Sequence, residues 1–297
     1  MTILLDAKSQ PNARLVRALR ARGIGLVILS DVQAQVECEP LASMLPPPCP
    51  TARGHDAWWS YSAVSRFAKS KIGQRVGRVL AQPDLTDLSS LRRYLGEPRT
   101  VLCLGNGPSA SEAALNDIAY DCLIRSNYRW RAEPRFNRAD VVIVGDFDTL
   151  AWIRDSVFAY RSREAMNAAL LRALLRFARG ASPGIDLQGL LSEFDHLGLE
   201  QVPSSGALTV VLACALKPER LVIGGIDLFE DERGRYANAS GAVNAYAQAH
   251  SRHADLSLIR AALQGFTGQL IIVGDVLRTA LDDDIKTVTG KSMTAQG

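Results

Sequence analysis

The stretch Val101-Leu-Cys-Leu-Gly-Asn-Gly-Pro-Ser109 decides the fold. Its first four residues make a short apolar run of the kind that forms a strand buried on both faces. Gly105 and Gly107 follow, then Pro108, and Ser109-Ala-Ser-Glu112 has the spacing of a helix capping box. A strand, a tight turn and a helix start in succession predict a β-α junction of an α/β sheet. Glycine lets the backbone approach a ligand closely, and a helix start presents unpaired amides to an anion or a polar base. The stretch is neither a dinucleotide fingerprint, since Ala110 stands where the third glycine belongs, nor a P-loop, since it lacks the Lys-Ser/Thr pair. A junction with no ligand at all has the same pattern, so the turn gains meaning only from its neighbours.

Working outward, strands are predicted at Val101–Leu104, Asp121–Arg125, Val141–Val144, Leu221–Ile223 and Leu270–Val273. Helices are predicted at Ser109–Asn116, Ala165–Ala178, Gly206–Ala215 and Asp255–Leu263. This alternation predicts an α/β fold, a Rossmann-like, mostly parallel sheet with helices on both faces, occupying 99–281. Such sheets bind ligands at the carboxyl ends of their strands. Arg161 to Gly198 shows no clear strand and reads as a helical insertion, suited to be a lid. The polar tail, 282–297, is expected to fray.

Upstream, Thr2–Leu5, Asn12–Arg22 closed by Gly23, and Leu26–Leu29 form a small β-α-β unit, and Pro40–Pro50 reads as a linker, so 1–48 is a first module. Residues 49–98 read as a basic and aromatic helical connector. In it Trp58, Trp59, Tyr61 and Phe67 mix with Arg66, Lys69, Lys71, Arg75 and Arg78, and no acidic residue lies between Asp56 and Asp84. This composition suits peripheral contact with an anionic membrane or glycan, and equally a helix that packs its aromatics inward beneath a solvated basic face.

The totals narrow the class. A chain of 297 residues, 47% hydrophobic, can bury one large core or a core with an accessory domain. The net charge of +3 is too small for bulk nucleic-acid binding, and no nucleic-acid partner is expected. The cysteines number five, and Cys103, Cys122 and Cys214 sit in apolar runs as small core hydrophobes, which points to a reducing, cytoplasmic setting. No Cys/His spacing suits zinc, so no structural metal is expected. The apolar start Thr2–Leu5 is too short for a signal peptide, and nothing approaches a membrane span. The expected location is cytoplasmic, soluble or peripheral at the inner face of the membrane.

The other strands also end in small or polar residues. Ser126 and Asn127 follow the second strand, and Gly145-Asp146-Phe147-Asp148 follows the third. Ser204-Ser205-Gly206 opens an apolar helix, Gly224-Gly225-Ile226-Asp227 follows the fourth strand, and His250-Ser251-Arg252-His253-Ala254-Asp255 precedes the last helix. All of these would converge on one crevice.

Gly105-Asn106-Gly107-Pro108-Ser109, Ser126-Asn127, Ser205-Gly206, Gly225-Ile226-Asp227-Leu228-Phe229 and His250-Ser251 followed by Asp255 occur in an order that resembles the bacterial sialyltransferases of glycosyltransferase family 42. The resemblance runs from about Arg99 to Val273. It implies a GT-A variant fold and a metal-independent, inverting transfer of a nonulosonic acid, such as sialic acid or a Kdo-like sugar, from its CMP donor to a glycan hydroxyl. No cofactor is expected. By residue chemistry, the Asn106 and Asn127 amides suit the nucleotide, and Ser205 and the Gly206 amide suit a carboxylate or phosphate at a helix start. The donor-binding set expected is Gly105, Asn106, Gly107, Ser109, Ser126, Asn127, Asp146, Ser205, Gly206, Gly225, Asp227 and Phe229. His250 suits a general base because an imidazole titrates near working pH, and the resemblance gives it the same role. His253 has no such support.

Two departures from the family concern the leaving group. Phe229 stands where a phosphate-holding tyrosine is expected, which shifts that role to Tyr236 and Tyr246, with Arg233 and Arg235 as electrostatic substitutes. The family's arginine before the Ser-Gly helix start is replaced by Val202 and Pro203. Alternatives are a metal-dependent nucleoside-diphosphate-sugar transferase using Asp146 and Asp148, a pterin pyrophosphokinase-like enzyme, and a non-catalytic nucleotide or glycan-binding module. The N-terminal β-α-β unit lies outside the resemblance, and extending the sheet, standing apart or supporting a homo-oligomer are all open to it.

Overall fold

The computed structural model describes residues 2–6, 25–29, 61–80, 85–132, 135–146, 149–153, 155–177, 183–230 and 250–288. In chain order the elements are β1 (Thr2–Asp6), β2 (Gly25–Leu29), α1 (Tyr61–Lys69), α2 (Lys71–Leu80), α3 (Leu88–Tyr94), β3 (Thr100–Leu104), β4 (Cys122–Ser126) and β5 (Val141–Ile143). There follow α4 (Thr149–Trp152), β6 (Val157–Tyr160), α5 (Arg163–Phe177), β7 (Gly184–Asp186), α6 (Gln188–Ser192), α7 (Ser205–Ala215), β8 (Arg220–Gly224), α8 (Arg252–Gln264), β9 (Gln269–Ile272) and α9 (Asp275–Val288). The chain forms two compact units, one from 1–84, 146–154 and 162–184, the other from 85–145, 155–161 and 185–297.

In the first unit β1 and β2 pair in parallel, Thr2 against Gly25 through Asp6 against Leu29. The expected helix between them and the proline-rich linker lie outside the described residues. Helices α1 and α2 form a hairpin that packs against α5. Ser70 makes the corner, since its Oγ donates to the Phe67 carbonyl at 2.6 Å and accepts from Gly73 N at 3.0 Å. In α2, Gly73, Val76 and Gly77 are buried while Lys71, Ile72, Arg75 and Arg78 are exposed, a separation that follows the helical repeat.

The second unit carries a seven-stranded sheet in the order β7-β6-β5-β4-β3-β8-β9. The pairs β3 with β4, β3 with β8, β4 with β5, β5 with β6 and β8 with β9 are parallel. Val101, Cys103, Cys122, Ile124, Val141, Ile143, Leu221 and Ile223 point into one core with α7, whose own Ala207, Leu208, Val210 and Val211 are buried. Leu102, Leu104, Leu123, Val142 and Val222 are buried as well, which is why these strands read as unbroken apolar runs rather than alternating ones. Burial pushes the Cys214 thiol up to about 12 and the Cys122 thiol higher still, so these groups stay protonated in the core.

Two expectations need correction. Gly184–Asp186 is a strand, β7, so 161–198 is more than a helical insertion, and Val157–Tyr160 just before it is a further strand, β6, that the pattern did not reveal. A four-residue apolar run and a three-residue edge strand are too short to declare themselves by period. Residues 109–116 are not an α-helix either: Pro108–Ser111 and Ala113–Asp117 are short 3₁₀ turns, with Glu112 extended between them. The capping box does not form because Ser109 uses its amide and hydroxyl elsewhere, as described next.

Candidate active site

Strands β3 to β7 run outward in one direction, and the chain then returns to lay β8 on the other side of β3. The β3/β8 boundary is thus the topological switch point, the place where open α/β sheets bind ligands. The turns that follow β3 and β8 meet there. Gly105 N donates to the Gly224 carbonyl and Gly107 N to the Gly225 carbonyl, both at 2.9 Å. Ser109 N donates to the Asp227 carboxylate at 3.0 Å, while Ser109 Oγ accepts from Gly225 N at 2.8 Å.

This contact explains the glycines. A Cβ on Gly105 would lie 2.0 Å from the Gly225 carbonyl oxygen, and one on Gly107 would lie 2.2 Å from Asp227 Oδ2. Gly225 also has φ +68°, a backbone conformation costly for other residues. Their first task is to let two turns touch, and Asp227 serves as the clasp between them.

From this junction the contacts continue around the strand ends. Asn106 Nδ2 donates to the Ser126 carbonyl and hydroxyl, both at 3.3 Å. Its buried Oδ1 meets no hydrogen-bond donor among the described residues. Asn127, in the left-handed region at φ 56°, accepts from Gly145 N at 2.9 Å through Oδ1. A Cβ on Gly145 would strike Ser205 Oγ at 2.3 Å, so Gly145 leaves room for that hydroxyl. Ser204, one residue before the expected Ser205, is the N-cap of α7, and its Oγ accepts from Ala207 N at 3.2 Å.

The far side of the site is built from α8 and the loop after β8. Asp255 in the first turn of α8 is buried and accepts from Ser204 N at 2.6 Å and from Ser204 Oγ. His250 Nδ1 lies 3.1 Å from the Val202 carbonyl oxygen. Its ring stacks on Phe229, with centroids 5.9 Å apart and planes 13° from parallel. Leu228 and Phe229 both adopt positive φ, 46° and 64°, as the loop turns back from Asp227. The contacts thereby close a circuit from Gly105–Ser109 through Ser126–Asn127, Gly145, Ser204–Ser205, Asp255, His250 and Phe229 back to Asp227.

The chain is similar to Campylobacter jejuni sialyltransferases. The sialyltransferase CstII from that organism, in complex with cytidine-5'-monophosphate, is 15% identical and aligns over 59% of this chain and 79% of its own, with a TM-score of 0.43. The monofunctional alpha-2,3-sialyltransferase Cst-I is 14% identical over 60% of this chain and 76% of its own, also at 0.43. No protein-family model matches the chain, and no curated protein does.

Of the expected residues, Asp146 falls in the first unit, where its carbonyl accepts from Thr149 N at 3.0 Å. Phe147, Asp148, Arg233, Arg235, Tyr236 and Tyr246 lie outside the described residues. Among the described residues no group of three or more His, Cys, Asp or Glu is placed to hold a metal ion.

Two arginines escaped the sequence reading. Arg125 in β4 is fully buried and stacks over Trp130 at 5.3 Å, and its guanidinium donates to the Gly105 carbonyl at 3.1 Å, fixing the β3 turn from below. A lone charge inside an apolar strand was the available signal. Arg161 follows β6 and donates to the Pro203 carbonyl. Reading Val157–Tyr160 as a strand would have made Arg161 a strand-end residue.

Burial raises the Asp255 carboxyl above its ordinary value, against the hydrogen bonds of Ser204 and the charges of His250 and Arg161. A raised folded-state value means that the native protein binds more protons. This contribution to stability is whole below the unfolded value and is lost as pH rises through the folded one. Asp255→Asn cannot titrate, so the wild-type melting temperature should fall relative to that variant as pH rises from the ordinary carboxylate value of about 4 through the raised folded one. Matched thermal melts check this, and a gap that is constant or widens the other way contradicts it.

Proposed function

We propose that the protein is an inverting glycosyltransferase that moves a nonulosonic acid from its CMP ester to a hydroxyl of a surface glycan. The observation that carries the reading is the presentation of His250. The Val202 carbonyl can only accept, so Nδ1 bears the proton and Nε2 keeps its lone pair. As the acceptor oxygen bonds to the anomeric carbon, its proton passes to Nε2, and the bond to the phosphate oxygen breaks with its electron pair leaving on CMP. Support also comes from Asn106, whose unsatisfied Oδ1 suits an N–H or O–H of the nucleotide. The start of α7 at Ser205 and Gly206 suits the donor's negative groups. Tyr236 and Tyr246 are assigned to the departing phosphate, and no metal is required.

A thermal-shift screen in excess chelator tests this. CMP and CDP should raise the melting temperature at millimolar concentration and UDP should not, because a ligand stabilises the state that binds it. Stabilisation by UDP with Mn²⁺, abolished by chelator, would favour the Asp146/Asp148 metal reading instead. A non-catalytic binding module is the second reading, favoured by Phe229, which offers His250 a ring rather than the phosphate a hydroxyl.

No helix among the described residues is long and apolar enough to cross a membrane. The exposed Arg66, Lys69, Lys71, Arg75 and Arg78 of the α1-α2 hairpin, with Ile72 57% exposed beside them, support peripheral contact with anionic lipid at the inner face of the membrane. Co-sedimentation with phosphatidylglycerol vesicles at low salt, lost at high salt, is the expected result. No binding at low salt refutes it.

A further inference from the structure

Residues 202–204 lead into α7 with no regular structure of their own, yet each has a backbone group held by an ionisable side chain. The Val202 carbonyl takes His250 Nδ1, the Pro203 carbonyl takes the Arg161 guanidinium, and the Ser204 amide and hydroxyl take Asp255. These three side chains come from a loop, from the end of β6 and from the first turn of α8. A segment with a proline at its centre has few ways to move when the groups on both sides of that proline are fixed. The carbonyl that sets the His250 tautomer therefore owes its position to the two holds that follow it across Pro203.

We propose that Arg161 and Asp255 are positioning residues for His250, holding the Val202 carbonyl so that the imidazole keeps its proton on Nδ1 and its lone pair on Nε2. The inference rests on reading His250 as the base. Neither residue needs to touch the substrate. Arg161 and Asp255 grip one peptide, that between Pro203 and Ser204: Arg161 holds its carbonyl and buried Asp255 its N–H, with the Ser204 hydroxyl donating to Asp255 as well. Arginine suits the first task because its guanidinium remains charged and rigid even when half-buried. Asp255 suits the second because a carboxylate accepts from an amide and a hydroxyl together, which an alanine or leucine there would leave without acceptors.

The test reads the tautomer directly. Long-range ¹H–¹⁵N correlation spectra of the labelled full chain resolve its four histidines, with His250→Gln assigning the one of interest. Wild type should show the Nδ1–H form of the neutral imidazole. Arg161→Met and Asp255→Ala should show both tautomers, with kcat lowered on the order of tenfold and donor KM little changed, as expected for a misplaced catalytic group. Arg161→Gln keeps an N–H donor for the Pro203 carbonyl and should restore the wild-type tautomer, which also guards against a variant that merely folds poorly. A wild-type Nε2–H form, or variants whose tautomer and kcat match wild type, would overturn the proposal. If the tautomer answers to Arg161 while wild type transfers from no CMP donor, the transferase reading fails and the positioning role stands.

Discussion

His250→Ala should lower kcat for transfer from a CMP-nonulosonate by two to four orders of magnitude, roughly the contribution of a positioned general base. Donor binding should change little, because the nucleotide is proposed to sit at Asn106, Ser126 and the α7 start, on the other side of the circuit. The variant should also stay folded. His250 is half-buried and gives up one hydrogen bond to Val202 and one stacking contact with Phe229, together worth about 1–2 kcal/mol. Steady-state transfer assays beside a CMP binding isotherm separate the two effects. Equal, near-zero turnover in wild type and variant, with CMP still bound, would leave the protein a binding module. Undiminished turnover in the variant would remove His250 from the mechanism.

Gly105→Ala should be among the most destabilising single substitutions in the chain. Its Cβ would lie 2.0 Å from the Gly225 carbonyl oxygen and 3.2 Å from the Ile226 side chain. The first neighbour is backbone, itself pinned by the bond from Gly107 N, so no side-chain rotation relieves the overlap. Either the β3 and β8 turns separate, losing the Ser109–Asp227 clasp with them, or the strands shift in register. Both routes lead to a loss on the order of 4 kcal/mol, near the upper end for point substitutions. Urea unfolding measures it, and CMP binding should disappear in parallel. Gly189→Ala is the matched control, since nothing lies within 4 Å of a Cβ there and the helix favours alanine. A Gly105→Ala protein as stable as that control would mean that the two turns do not touch.

These expectations rest on a fold that the sequence disclosed unevenly. β3, β4, β5 and β8 are legible because a parallel strand buried on both faces must be a run of apolar residues closed by turn formers, and β9, half-exposed at the sheet edge, because its sequence is still an apolar run. β6 and β7 are not, because one is four residues and the other three, below the length at which period separates strand from helix. The residues of the circuit are legible as a set because each stands just past the end of a strand or at the start of a helix. What stayed hidden is how they engage one another. Gly105, Gly107 and Asp227 look like ligand-facing residues in sequence, and only pairing across more than a hundred positions shows that they first secure one turn to the other. Arg161 stayed hidden for a simpler reason: it borders a strand that the pattern did not reveal.

The placement of β8 beside β3 also governs the order of assembly. β3 can pair with β4 as soon as residue 126 has been made, but its other edge has no partner until residue 224. The turn at Gly105–Ser109 likewise waits for the backbone of Gly224 and Gly225 to close it. During synthesis, then, β3 presents an edge of unpaired N–H and C=O groups while the intervening chain emerges, the condition under which strands recruit wrong partners. The ligand crevice is one of the last things this chain can form, and any factor that shields the nascent edge of β3 acts on the yield of active protein rather than on its chemistry.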